Sequence, residues 1–282
     1  MSTQTIDMDN VETAYFNSNM VSRMYLNGTK IWPRKQYYLT FESDYPFALA
    51  TYNGSRNWNG IIEISYSAKP NDWGEFTGAI EYVTTQQDDG KYRMYLRGTG
   101  NSHIVSSATD NQRFVFDDYY NTGNPPIIDC YGNIETLLDY STVKNGGHPS
   151  IDQYCFYSLF NSCSSLRTPP SIGCTTLNGA CFYRMFYNSG IQYLPALYAT
   201  TLTQIGFPQK GCYQEMFKGC YGISLTTYYD SVGQPYSYQI PYTGTGSAAS
   251  YSLRDMFANT GGSSIGTPTI NTTYYCSTKI IE

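Results

Sequence analysis

Charge is scarce in this chain. Asp, Glu, Lys and Arg together make up only 14% of its 282 residues, where ordinary soluble domains carry roughly a quarter. Histidine occurs twice, at positions 103 and 148, and tryptophan three times. There is no apolar run of 18 residues, which excludes a helix able to cross a bilayer. There is no basic cluster either: 17 Lys plus Arg face 22 Asp plus Glu, for a net charge of -5 and a pI near 5.0. That balance excludes a nucleic-acid partner held by phosphate contacts. No glycine-rich phosphate loop occurs, and no heptad run specifies a coiled coil. Residues 1–19 lack the basic start and apolar stretch of a secretory leader, and Met1-Ser2-Thr3 reads as a natural start. The expectation is a protein made and assembled in a cytosol.

What fills the deficit is tyrosine, with 30 copies, and 25 glycines. That is the composition of a β-rich protein with many turns, not of a disordered chain. Residues 1–36 form an expected docking segment. Within it Met24-Tyr25-Leu26 and Thr29-Lys30-Ile31-Trp32 flank Asn27-Gly28, a strong hairpin signal because both turn residues tolerate positive φ. A lone hairpin is marginal in water, so Met24, Tyr25, Leu26 and Trp32 are candidates for docking on other surfaces. Residues 37–127 read as an antiparallel, sandwich-like β domain. Ile62, Ile64 and Tyr66 alternate with Glu63, Ser65 and Ser67, and Tyr92, Met94 and Leu96 alternate with Arg93, Tyr95 and Arg97. Residues 128–150 read as a bridge and cap.

The remainder, 151–282, repeats itself. Cys155-Phe156-Tyr157-Ser158-Leu159-Phe160 recurs as Cys181-Phe182-Tyr183-Arg184-Met185-Phe186, then as Cys212-Tyr213-Gln214-Glu215-Met216-Phe217. A fourth copy, Ser252 to Phe257, has lost the cysteine. The closing phenylalanines lie at 160, 186, 217 and 257, spaced by 26, 31 and 40 residues. The longer spacings read as one unit with inserted loops. Helical turns would put Cys, Leu or Met, and Phe on one inward face. Stacked copies would then share a column of core: Cys155, Leu159, Phe160, Cys181, Met185, Phe186, Cys212, Met216, Phe217, Met256 and Phe257.

The run Cys155 to Leu166, with the proline steps at 169–170 and 195 and the Thr-Thr-Leu steps at 175–177 and 200–202, resembles the BspA-like leucine-rich repeats found on surface proteins of gut bacteria. The resemblance implies a fold of mixed β-rich α+β class, an antiparallel β domain followed by a short leucine-rich-repeat solenoid. It also implies adhesion and not catalysis. Residues 24–32 resemble short segments of bacteriophage structural proteins. Together these give the expected function: a virion fibre or decoration protein, alternatively a bacterial cell-surface adhesin. It would contact other virion proteins through its N-terminal segment, and a host glycan or protein through its repeats. It would assemble as a homo-oligomer.

The remaining chemistry weighs little in the sequence. The cysteine pairs at 155/163, 174/181 and 212/220 are seven or eight residues apart, where zinc pairs want two to four. The repeat-matched cysteines read as a buried ladder of small side chains, ahead of disulfides or metal. No metal and no cofactor is expected. Each histidine reads as a loop residue. Residues 151–282 hold 16 tyrosines against 11 charges. Five of them, Tyr228, Tyr229, Tyr236, Tyr238 and Tyr242, fall in one insertion and form the candidate binding surface.

Overall fold

Alternation along Tyr92–Thr99 puts Met94, Leu96 and Gly98 inward and Arg93, Tyr95 and Arg97 outward. This strand is the centre of the larger sheet in a computed structural model of the protein. The structure describes residues 38–282, save 70, 80–81, 110–111, 119–125, 206–209, 241–250 and 263–264. Of the first 37 residues it describes the strand backbones 15–16, 19–20, 24–26 and 29–32. Met1–Tyr37 and Tyr38–Glu282 are two separate units. In the first, Met24–Leu26 pairs antiparallel with Thr29–Trp32, Leu26 opposite Thr29.

In the second unit the sheet order is Leu166–Thr168, Ile128–Tyr131, Leu39–Ser43, Tyr92–Thr99, Ile61–Ser65, Gly74–Glu75, with Thr85–Gln86 also on the central strand. Every pairing is antiparallel except Ile128–Tyr131 with Leu166–Thr168, which is parallel. On the outer face the register sets Arg93 opposite Glu42 and Arg97 opposite Glu63. Both arginines close ion pairs at 2.7 Å, the favourable cross-strand arrangement for opposite charges. A second sheet orders Phe114–Asp117, Ala48–Thr51 and Tyr82–Val83. Phe41, Phe114 and Phe116 meet edge to face between the two sheets at 4.9–6.0 Å, the geometry that ring quadrupoles favour.

The helix Thr136–Lys144 is broken at Asp139 (φ -151°, ψ 102°). Asp139 accepts the Thr142 N–H at 2.8 Å and the Ser141 hydroxyl at 2.7 Å, so it caps the second part of its own helix.

The leucine-rich-repeat solenoid expected over residues 151–282 is corrected here. Strands in this region are short and mostly sit in two-stranded sheets of both senses. Leu194–Pro195 runs parallel to Ile280–Ile281, while Gln204–Ile205 with Lys210–Gly211 and Tyr236–Gln239 with Thr273–Cys276 are antiparallel. Among the described residues no strand of one copy continues into a strand of the next. Among the described residues the fold is strand-rich, with several small sheets and the broken helix Thr136–Lys144. Two physical causes account for the miss. The segments between copies carry strands that pair within one insertion, as Gln204–Ile205 with Lys210–Gly211, or with the C-terminal strands, and the Cys-to-Phe segments are not helical turns.

In those segments every fourth residue has a left-handed backbone. Tyr154, Ser158 and Ser162 do so in the first copy, Ala180, Arg184 and Asn188 in the second, then Glu215 and Gly219, then Asp255 and Asn259, with φ from 51° to 76°. A non-glycine residue there costs roughly 1–2 kcal/mol. Hydrogen bonding offsets it. Phe156, Ser158, Phe160 and Ser162 donate their N–H groups to carbonyls of the next copy, at Cys181, Tyr183, Met185 and Tyr187, over 2.8–3.0 Å. Their neighbours Tyr157, Leu159, Asn161 and Cys163 fold back on the residue three earlier. Half the donors thus tie one layer to the next and half close local turns, which leaves none of these eight orphaned.

Asp129, in the strand Ile128–Tyr131, joins this sheet to the turns. Arg167 donates to both of its carboxylate oxygens and Thr168 to one. Burial pushes the Asp129 carboxyl up, but the Arg167 and Thr168 hydrogen bonds and the Arg167 charge outweigh it, and the group lies below its ordinary 3.8. A depressed folded value means the stabilisation is complete above the unfolded value and drains as pH falls through the folded one. Arg167 is partly exposed, so screening limits the pair. Asp129→Asn is expected to cost about 1 kcal/mol at pH 7, with the gap to wild type closing below pH 3.8. Urea unfolding of both proteins along a pH series checks this.

Candidate functional site

Between the left-handed steps lie pairs of fully buried side chains, Cys155-Phe156 and Leu159-Phe160 in the first copy. Cys155, Leu159, Phe160, Cys181, Met185, Phe186, Cys212, Met216, Phe217, Met256 and Phe257 all lie inside with no exposed surface. Phe160, Phe186, Phe217 and Phe257 form one column, with centroids 5.6, 5.7 and 5.2 Å apart. A second column, Phe156, Phe182 and Tyr213, is equally buried. Sequence reasoning passed over it, although the signal was present: an aromatic follows the cysteine in three copies. Helical spacing hid it by assigning those positions to another face.

The eight cysteines are unpaired and buried. Burial pushes their thiols up, Cys163 to about 12 and Cys220 to about 11, which keeps them protonated and poor nucleophiles. His148 lies in an exposed loop, as expected. Its Nδ1 lies 3.0 Å from Glu135, whose side chain is fully buried and also accepts from Asn133 at 2.9 Å. Cys174 belongs to the same cluster, where burial and the Glu135 charge push its thiol well above the ordinary range. That makes the cluster a structural clamp at the start of the helix. His103 lies 3.3 Å from Asp152. Among the described residues, no three His, Cys, Asp or Glu side chains are grouped to hold a metal.

The candidate tyrosine surface divides. Tyr228 (71% exposed), Tyr229 (54%) and Tyr236 (40%) are on the outside. Tyr238 is not. It is 2% exposed, its ring meets the edge of Phe257, and its hydroxyl donates to the Pro195 carbonyl at 3.2 Å. In the strand Tyr236–Gln239 its register partner is the buried Tyr274. Tyr242 lies outside the described residues, as do the side chains of Met24, Tyr25, Leu26 and Trp32.

The tyrosines of the first two copies form a different cluster, with Tyr157 and Tyr183 buried and Tyr154 part-buried. Tyr157 and Tyr183 stack nearly parallel, 5.2 Å apart, and Tyr154 meets Tyr157 edge-on at 5.8 Å. Lys210 sets its ammonium 5.5–5.6 Å from all three rings, within cation–π range. Burial and the nearby Arg184 charge pull the Lys210 ammonium below its usual range. Arg184 lies 5.1 Å over both Tyr183 and Tyr187 and donates from Nε to Glu215 at 2.6 Å.

Beside these rings opens a cavity of about 290 Å³. Its walls are Tyr52, Ala108, Gln112, Arg113, Tyr157, Ser158, Asn161 and Arg184. The two sheets and the turns supply them together. Tyr52 begins the short turn after Ala48–Thr51, and its N–H donates to the Arg113 carbonyl at 2.8 Å. Arg113 precedes Phe114–Asp117, and its guanidinium lies 4.4 Å over the Tyr52 ring. Gln112 is completely buried. Its Oε1 accepts the Asn57 N–H at 2.6 Å, while its Nε2 has no acceptor among the described residues. None of these wall residues beyond the repeat itself stood out in the sequence, because they meet from segments 40 to 130 residues apart.

The cavity combines a half-exposed aromatic ring, planar amide and guanidinium edges, and hydroxyls. Such a set recognises a small polar ligand with an apolar face. No family model, curated protein or solved structure matches the chain.

Proposed function

We propose that the protein is a non-enzymatic recognition component that binds a surface carbohydrate in the cavity walled by Tyr52, Gln112, Arg113, Tyr157 and Arg184. The observation that carries this reading is the pairing of the Tyr52 face with flat hydrogen-bonding side chains around an open volume of about 290 Å³. Sugars offer both an apolar C–H face and a ring of hydroxyls, and this lining has a counterpart for each. The setting proposed is the surface of a bacteriophage particle, with residues 1–36 attaching the chain to other virion proteins and its partner being a host glycan. The alternative setting is a bacterial cell surface, in an adhesin. The phage setting is supported by the likeness of residues 24–32 to phage structural segments. Homo-oligomeric assembly belongs to the same proposal. The exposed Tyr221, Tyr228, Tyr229 and Val232 are available for such contacts, as exposed apolar side chains on a protein surface often are.

Tyr52 is exposed enough to change without disturbing the core. Tyr52→Ala is therefore expected to fold normally and to lower glycan affinity about tenfold, the scale of one aromatic contact. A glycan array with titration of the best binder measures this. Failure of the wild-type protein to retain any saccharide sinks the reading.

A further inference from the structure

The charge in this cavity runs against that of the chain. The protein carries a net -5, yet the lining has two arginines and no carboxylate. Glu215 engages Arg184 through Nε alone and also lies 3.8 Å from Lys218, so its charge is shared. Arg113 rests on the Tyr52 ring, and among the described residues its N–H edge has no acceptor, so it can fork toward a planar anion. Lys210 adds a third cation against Tyr157, the ring that lines the cavity.

A second observation is independent of charge. The Asn57 N–H fixes the orientation of the Gln112 amide by occupying its oxygen. That leaves Nε2 as a buried donor with nothing to donate to among the described residues. An orphaned buried donor costs about 1–3 kcal/mol, and a ligand acceptor would relieve it.

We infer that the cavity binds a carboxylate-bearing sugar, a sialic or uronic acid at the end of a glycan, with the carboxylate on Arg113 and Arg184 and an acceptor oxygen on Gln112 Nε2. This rests on the carbohydrate reading above and adds the ligand's charge to it. A guanidinium meets a carboxylate through two parallel hydrogen bonds, each stronger than a neutral one.

Five probes separate the possibilities: a sialic acid-ended trisaccharide, a glucuronic acid-ended one, the methyl ester of each, and neutral lactose, each titrated by calorimetry. At least one acid is expected to bind ten times or more tighter than its ester. Raising salt from 50 to 300 mM should weaken the acid more than the ester. Arg113→Gln should erase the preference while leaving the melting temperature nearly unchanged, since Arg113 contributes no core packing. Gln112→Leu should weaken acid and ester alike. Equal binding of acid and ester, or neutral-only binding, overturns the inference and leaves the carbohydrate reading intact. Full acid preference in Arg113→Gln overturns it as well. Absence of all saccharide binding removes both.

Discussion

Phe186→Ala is expected to lower the stability of the unit 38–282 by about 3–5 kcal/mol, the cost of an aromatic truncated in a packed core. Phe186 has no exposed surface and stands inside the column, with Phe160 5.6 Å on one side and Phe217 5.7 Å on the other. Its own N–H and carbonyl are engaged: the N–H reaches Met216, and the carbonyl accepts from Ser189. These hydrogen bonds resist collapse of the backbone into the void, which a close-packed interior leaves unfilled. Phe160 extends the column to the sheets, at 5.6 Å from Phe114 and 6.3 Å from Phe41. The loss should thus be felt as one cooperative transition, shifted down by about 6–20 °C for a unit of this size. Scanning calorimetry is the measurement. A small shift, or a transition that splits while the sheet part keeps its original midpoint, would show that the column is not coupled to the rest.

Gly98→Ala should cost about 3 kcal/mol or more, at the upper end of what overpacking does. Gly98 is an inward residue of the strand Tyr92–Thr99, and the helix Thr136–Lys144 crosses directly over it. A Cβ at this position would sit 1.6 Å from the Leu137 carbonyl oxygen. That obstacle is backbone, and no side chain can rotate to make room. Strand and helix must separate. Separation would also strain Asn101, which donates to both the Leu137 and Ile61 carbonyls. Gly74 is the control. It lies in an edge strand of the same sheet, its backbone is not left-handed, and a Cβ there meets nothing within 4 Å. Gly74→Ala should stay within about 0.5 kcal/mol of wild type. Denaturant titration of the pair decides whether close packing, and not strand propensity, explains the glycine at 98.

Much of the sheet was legible because period-2 alternation depends only on which face of a strand is wet. Tyr92 to Arg97 is the clearest case, and the opposed Arg97 and Glu63 follow once the register is set. The recurrent Cys-to-Phe segments were legible too, as recurrence. Their conformation was not. The same apolar positions satisfy a helix, with one face at i, i+4 and i+5, and a chain of turns, with a fully buried pair in every four residues. Burial alone does not separate these. What separates them is the left-handed backbone at Tyr154, Ser158, Ala180 and Arg184, residues whose types give little hint of it. The leucine-rich solenoid was inferred from one pattern that two geometries share. Tyr238 was misplaced for a similar reason, since its Tyr274 register partner is not near in sequence.

The sequence by itself determined that this is a strand-rich chain with little charge, with a repeated apolar segment, and with eight cysteines not spaced for zinc. Those features are local, written in composition and in spacing along the chain. The tertiary structure alone decided that the repeats are stacked turns within mixed sheets. It also decided that Tyr52, Gln112, Arg113, Tyr157 and Arg184 surround one cavity. The reason is physical. A cavity is bounded by whatever side chains the backbone path brings together, and that path depends on hydrogen bonds between layers, such as Phe156 to Cys181, that no spacing rule encodes.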